Sequence, residues 1–119
     1  MPVRGLLGAV LLAISCVALA ELQLTTAQAK SHVGEKATVC GTVASAKYAA
    51  RAKGMPTFLN LDKPFPDHIF TAVIWGHNRP RFPTPPESLT GSFICVSGFI
   101  TSYRNVPQII VNDPSQIGQ

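Results

Sequence analysis

The sequence lacks most of the motifs that carry enzymatic chemistry. It has no Cys-x-x-Cys pair, no glycine-rich phosphate-binding loop and no recognisable Ser-His-Asp set, so redox-active cysteine and nucleophilic catalysis have no candidate residues. Asp62 and Asp67 lie near His68, but two prolines interrupt them and no second acidic cluster exists. The histidines also lack metal-ligand spacing with each other or with a cysteine: His32, His68 and His77. We therefore expect no enzymatic activity, no bound metal and no cofactor.

Long hydrophobic runs are also scarce. An apolar run covers residues 6–14, which is too short to span the roughly 30 Å of a bilayer core. Arg4 precedes the run and Ala18-Leu19-Ala20 follows it, in the charged, apolar, small-x-small order of a secretory signal peptide. We predict a signal peptide over residues 1–20, cleavage after Ala20 and no stable membrane span thereafter.

Cleavage at this point would leave residues 21–119, enough for one small domain in the periplasm or outside the cell. Nine Lys and Arg then stand against six Asp and Glu, a formal charge of +3 that favours solubility and weak attraction to polyanions. An alternative places a lipid on Cys16, as in bacterial lipoproteins, although Ala13 stands where leucine is usual.

Only two cysteines remain after cleavage, Cys40 and Cys95. An even count in a small exported domain predicts a disulfide. Closing so long a loop would add about 4 kcal/mol of stability in the chain-entropy model. Two buried thiols in neighbouring strands are the alternative.

Alternation of apolar and polar residues predicts five strands, at residues 36–47, 57–62, 69–75, 92–101 and 106–112. Gly41 lies in the middle of the first, where a barrel strand would bend. Residues 25–34 predict a short helix, because threonine can cap it and Gly34 suits the position after its end. Four prolines between residues 76 and 91 allow at most one helical turn, near 87–89. The polar tail from Asp113 onward is expected to fray.

Together these elements predict an all-β fold, a five-stranded OB-fold Greek-key barrel with a short N-terminal helix. Closure of the barrel would remove the exposed sheet edges that invite aggregation. The predicted organisation is an N-terminal segment over residues 21–35, the barrel over residues 36–113 and a tail over residues 114–119.

Six segments between about residues 29 and 117 share a common family pattern: HVGE (32–35), VCGTV (39–43), PTFLNLD (56–62), FTAVIW (70–75), ICVSGFI (94–100) and YRNVPQI (103–109). On these segments the chain resembles bacterial exported OB-fold domains of the tRNA-synthetase and helicase type. The resemblance implies the OB-fold and, by analogy within the family, nucleic-acid binding. Similar sequences usually carry glycine in the last turn, where Asn105 stands here; asparagine tolerates the positive φ that the turn requires.

OB-folds bind oligonucleotides across strands two and three, between the first and last hairpin loops. Aromatic rings there stack on bases, while Lys and Arg contact phosphates. The candidate nucleic-acid-binding residues are Lys47, Tyr48, Arg51, Lys53, Trp75, Arg79, Arg81, Tyr103 and Arg104. Ordinary solvated loop charges are the alternative for these cations. Phe58 and Phe70 are expected in the core, while Trp75 at a strand end is open to either interpretation.

The sequence thus predicts a binding module whose leading partner is single-stranded nucleic acid. The competing hypothesis is an envelope protein-interaction or stress-related domain, in which the same cleft holds a peptide, a glycan or a small cation.

Overall fold

The computed structural model describes residues 22–119 of the chain. The predicted signal peptide, its cleavage site and Cys16 lie outside the described residues. Seven strands form the described part, and its fold is all-β as predicted: β1 (Gln23–Thr25), β2 (Lys36–Tyr48), β3 (Thr57–Leu61), β4 (Thr71–Ile74), β5 (Phe93–Tyr103), β6 (Val106–Ile110) and β7 (Ile117–Gly118). Helical structure here is limited to four 3-10 segments: Ala29–Ser31, Gly76–Arg81, Pro86–Leu89 and Pro114–Gln116.

Five of the strands are hydrogen-bonded in a closed circuit. β2 pairs antiparallel with β3 on one side and with β5 on the other. β4 joins β3 to β6, to which it runs parallel, and β6 pairs antiparallel with β5. These five strands correspond to the five that the sequence predicts. The two additional strands are short: β1 runs parallel to β2, and β7 runs antiparallel to β5.

A disulfide between Cys40 and Cys95 crosses the seam of the circuit, as predicted. The two residues are direct partners in the β2 to β5 ladder, their Cα atoms lie 4.0 Å apart, and 55 residues separate them along the chain. Formation of this bond fits an oxidising compartment.

The core lies inside the circuit, where alternate residues of each strand point. Leu59, Leu61 and Phe70 are each 0 % exposed, so the core position predicted for Phe70 is confirmed. Most of the other buried side chains are Ile, Val or Ala, which suit the alternating faces of paired strands. They include Val39, Val43, Ala72, Ile74, Ile94, Val96, Ile100, Ile109 and Val111.

Gly41 has a different role from the predicted bend. The register shift of β2 lies between Val43 and Ser45, whereas Gly41 faces the carboxylate of Asp62, whose oxygens would lie 2.9 Å from an added Cβ. Asp62 accepts hydrogen bonds from the Thr42 amide at 2.9 Å and from the Thr26 hydroxyl at 2.6 Å. Glycine at this position lets the carboxylate reach the backbone of β2 and hold the N-terminal segment.

The predicted helix over residues 25–34 is wrong. Thr25 ends β1, and only Ala29–Ser31 forms a 3-10 turn. The Thr25 amide donates to Gln28 Oε1 at 2.9 Å and the Gln28 amide donates to Thr25 Oγ1 at 3.3 Å, which forms a capping box that starts the turn. The turn does not extend into a longer helix because the Gly34 amide donates to the Ile100 carbonyl at 2.7 Å, which ties the chain to the sheet.

Residues 113–119 are ordered, which corrects the expected fraying. Asp113 and Gln116 form a capping box around the Pro114–Gln116 turn. The side-chain nitrogen of Gln116, Nε2, also donates to the carbonyls of Ser97 and Ile110, at 2.9 and 3.2 Å, which ties the segment to β5 and β6. β7 then pairs with β5 beside the disulfide.

The proline-rich connection after β4 contains more helical structure than predicted. Besides the expected turn at Pro86–Leu89, a second 3-10 segment covers Gly76–Arg81. Proline is compatible with such short turns because few of their amides are donors within the helix.

Candidate nucleic-acid interface

A cleft of about 730 Å³ lies on the outer face of the strand circuit. Its position follows from alternation along β3: Leu59 and Leu61 point into the core, so Phe58 and Asn60 point outward. The connection between β3 and β4 and the turn between β5 and β6 form its walls. The lining residues are Ser45, Ala46, Lys47, Ala49, Phe58, Asn60, Phe65, Pro66, His68, Thr71, Tyr103, Arg104, Val106 and Gln108.

Aromatic rings line opposite parts of the cleft. Phe58 lies half-buried within it, which corrects the predicted core position, because the neighbouring leucines of β3 fill the core instead. Phe65 is 70 % exposed and stacks on His68, with ring centroids 5.4 Å apart and planes inclined by 26°. Tyr103 is 59 % exposed on the other wall. Exposed rings that are already held in place offer stacking surface at little entropic cost.

The floor of the cleft is polar and hydrogen-bonded. Asn60 donates to Ser45 Oγ at 3.0 Å and accepts from Thr71 Oγ1 at 2.8 Å. Ser45 Oγ also accepts from the Phe65 amide at 3.1 Å, which ties the wall carrying Phe65 to β2. Asn60 and Thr71 are 4 % and 6 % exposed, so this network holds its shape before any ligand arrives.

Among residues 22–119, two cations and no carboxylate line the cleft. Lys47 is the partner of Phe58 in the β2 to β3 ladder, so the lysine side chain and the phenyl ring lie on the same face of the sheet. Arg104 lies in the β5 to β6 turn with its guanidinium carbon 5.2 Å from the centroid of Tyr103. Both Arg104 and Asn105 adopt positive φ, 51° and 66°, so asparagine carries the turn as expected. The cleft is therefore suited to an anionic ligand with flat rings.

Tyr48 and Arg79 are also brought together, but away from the cleft. Tyr48 follows Lys47 directly on β2 and so faces the opposite side of the strand. Arg79 lies over its ring at 3.6 Å and donates to Thr57 Oγ1 at 2.6 Å. Its guanidinium also forms two hydrogen bonds with Glu87, at 2.8 and 3.2 Å. This cluster fastens the 3-10 segments to the end of the strand circuit and leaves little of Arg79 for a ligand.

Four other candidate residues do not line the cleft. Arg51 and Lys53 are exposed in the loop between β2 and β3, and Trp75 packs against that loop, where an added Cβ on Gly54 would lie 2.9 Å from its ring. Arg81 pairs with Asp113 at 3.8 Å on the exposed surface. Three of the nine candidates thus line the cleft: Lys47, Tyr103 and Arg104.

The cluster of Arg79 and Glu87 predicts a dependence of stability on pH. The hydrogen bond from Arg79 holds the pKa of Glu87 below its usual range, although partial burial opposes this. A carboxyl with a lowered folded pKa stabilises the fold above its unfolded pKa, about 4.3, and this contribution is lost as the pH falls further. We expect Glu87→Gln to reduce the loss of thermal stability between neutral and strongly acidic pH, measured by circular dichroism.

The matched control is Asp67→Asn, since the Asp67 carboxylate makes no hydrogen bond or ion pair among residues 22–119. This control should keep the pH dependence of the wild type. If Glu87→Gln loses as much thermal stability as the wild type between neutral and acidic pH, the role assigned to Glu87 is wrong. Asp113, whose pKa is lowered by hydrogen bonds from Ser115, adds a contribution of the same sign in both variants.

Sequence reasoning missed Phe65, His68, Asn60, Thr71 and Gln108 as cleft residues. Asn60 carried a usable signal, because a polar side chain flanked by two leucines in a strand must face away from the leucines. Gln108 lies outward on β6 by the same alternation. Phe65 and His68 had no such periodicity, since they lie in a proline-rich connection.

Among residues 22–119, no helix has the length and apolar character needed to span a bilayer. The same residues contain no group of three or more His, Cys, Asp or Glu placed to hold a metal ion.

Comparison with known proteins does not place this chain in a family. No family model and no curated protein matches the chain. Among solved structures, the chain is similar to one from Leishmania major Friedlin described as an aspartyl-tRNA synthetase, with 12 % sequence identity and a TM-score of 0.49. The match covers 88 % of this chain and 22 % of that one. A likeness at this level carries no conclusion about this chain.

Proposed function

We propose that this chain is an exported OB-fold barrel that binds single-stranded nucleic acid in its outer cleft, in the periplasm or outside the cell. The order of the closed strand circuit supports the barrel, since β2 pairs with both β3 and β5 while β4 and β6 run parallel. The disulfide supports an oxidising location.

The observation that carries the binding proposal is the lining of the cleft. Within the described part of the chain, this lining combines exposed aromatic rings with two cations and contains no carboxylate. Phe58, Phe65 and Tyr103 supply stacking surfaces for successive bases, and Lys47 and Arg104 supply phosphate contacts. Arg51 and Lys53, in the loop that continues from β2, stay predicted as outer phosphate contacts that a longer strand would reach.

Salt dependence tests the proposal directly. Each phosphate neutralised on a single strand contributes about 0.7 to the slope of log affinity against log salt. We expect Lys47→Ala with Arg104→Ala to lower this slope by about 1.4 and to weaken binding about 60-fold at about 0.05 M salt. Fluorescence anisotropy with a labelled oligothymidylate, titrated at several salt concentrations, measures both quantities.

The matched control replaces Lys36 and Arg81, one lysine and one arginine outside the cleft, by alanine. Both double variants should keep the thermal midpoint of the wild type, because exposed charges contribute little to stability. Equal losses in the two variants would mean that net charge acts without a defined site. No binding by the wild type at low salt would overturn the proposal and favour a peptide or glycan as the ligand.

A further inference from the structure

A second, smaller pocket of about 220 Å³ adjoins the cleft. His68 and Val106 line both, so the two are neighbours across these residues. The β5 to β6 turn also contributes to each, with Arg104 in the cleft and Asn105 in the second pocket. The remaining lining residues are Thr26, Ala27, Lys30, Ile69 and Pro107.

The size and chemistry of this pocket indicate an extension rather than a separate site. Pockets that hold a whole small molecule usually have volumes of about 300 to 1,000 Å³, so this one is small for an independent ligand. Of the residues that the structure describes, one cation, Lys30, and again no carboxylate line it. Those properties suit a phosphate and part of its sugar, continuing from a strand already bound in the cleft.

The segment that carries Lys30 is held at both ends. Thr26, which is 3 % exposed, donates to Asp62, and the Gly34 amide donates to the Ile100 carbonyl at 2.7 Å. Between these anchors, Ala29 is fully buried and fixes the turn that presents its exposed neighbour Lys30. The ammonium is therefore tethered beside the pocket without being paired to an acid among the described residues.

We propose that a bound single strand continues past His68 and Val106 into this second pocket, where Lys30 contacts one of its phosphates. The inference rests on the proposed function of the cleft and adds the N-terminal segment to the binding site. It also assigns a length requirement, because only a strand longer than the cleft reaches Lys30.

Oligothymidylates of two lengths test this, about 4 and about 12 nucleotides, which lie within the range of OB-fold site sizes. We expect Lys30→Ala to weaken binding of the longer strand about eightfold at about 0.05 M salt and to lower its salt slope by about 0.7. The shorter strand, held by the aromatic rings of the cleft, should bind as to the wild type. Lys30→Arg should preserve the affinity for both lengths, and Lys36→Ala should leave both unchanged.

The outcomes separate this inference from the function on which it rests. If both lengths bind the wild type but Lys30→Ala changes neither, the second pocket is not a subsite while the cleft remains the site. If Lys30→Ala weakens binding of both lengths equally, the subsite is also overturned. Such a result would mean that Lys30 acts through the overall positive charge and not by contacting a phosphate that only the longer strand places in the second pocket. If the wild type binds neither strand, the proposed function fails and this inference fails with it.

Discussion

Replacing Cys40 and Cys95 together by serine is expected to lower the free energy of unfolding by about 4 kcal/mol. The chain-entropy model gives this value for the 55-residue separation between the two cysteines. Small domains have a total stability of only about 5 to 15 kcal/mol, so the loss is a large share. The thermal midpoint should fall by more than about 15 °C. Denaturant titration and thermal unfolding, each followed by circular dichroism, measure the two effects.

Chemical reduction of the wild-type disulfide supplies an internal control for this prediction. Dithiothreitol should bring the wild type close to the double variant, because both then lack the covalent link across the β2 to β5 seam. The double variant should be insensitive to the reductant. If the thermal midpoint of the wild type does not change on full reduction, the hydrogen bonds between β2 and β5 hold the two strands together without the disulfide, and the prediction is wrong.

Replacing Phe65 by alanine is expected to weaken binding of single-stranded nucleic acid about 5- to 150-fold. This range corresponds to about 1 to 3 kcal/mol for one stacked base. Because Phe65 is 70 % exposed, the free energy of unfolding should change little. Fluorescence anisotropy gives the affinity, and thermal unfolding of the same samples confirms that the domain is intact.

Phe99→Ala is a closely matched control for Phe65→Ala. Phe99 is 64 % exposed and lies on β5 outside the cleft. Phe99→Ala therefore removes the same kind of ring at a similar exposure, and this variant should bind nucleic acid with the affinity of the wild type. Similar losses from both substitutions, or none from Phe65→Ala, would contradict stacking in the cleft.

The strands themselves were predictable from alternation. β3 shows why: in Phe58-Leu59-Asn60-Leu61 the leucines must share a face, and a paired strand must bury that face. The five predicted strands all exist, and the disulfide joins the two that carry cysteines. What alternation does not determine is which face of a strand lines a cleft. Phe58 was for that reason expected in the core.

The missed features depend on contacts between distant parts of the chain. β1 and β7 are too short to show a period, and each pairs with a strand distant in sequence, β1 with β2 and β7 with β5. Tyr48 and Arg79 have the side chains expected in a nucleic-acid site. In the structure, however, Arg79 forms an ion pair with Glu87 and belongs to a cluster that stabilises the fold. No local pattern predicts that ion pair, because 3-10 segments and prolines separate the partners.

The position of the disulfide relative to the exposed loop affects how the domain responds to proteolysis. Arg51 and Lys53 are exposed in the loop between β2 and β3, which is a candidate site for a protease that cuts after basic residues. A cut there separates Cys40 from Cys95 along the chain, but the bond between them still joins the two fragments. The strand circuit also loses no ladder, since β2 and β3 remain paired beside the cut. A nicked molecule would thus keep its shape and its cleft, and degradation would require a second cut elsewhere.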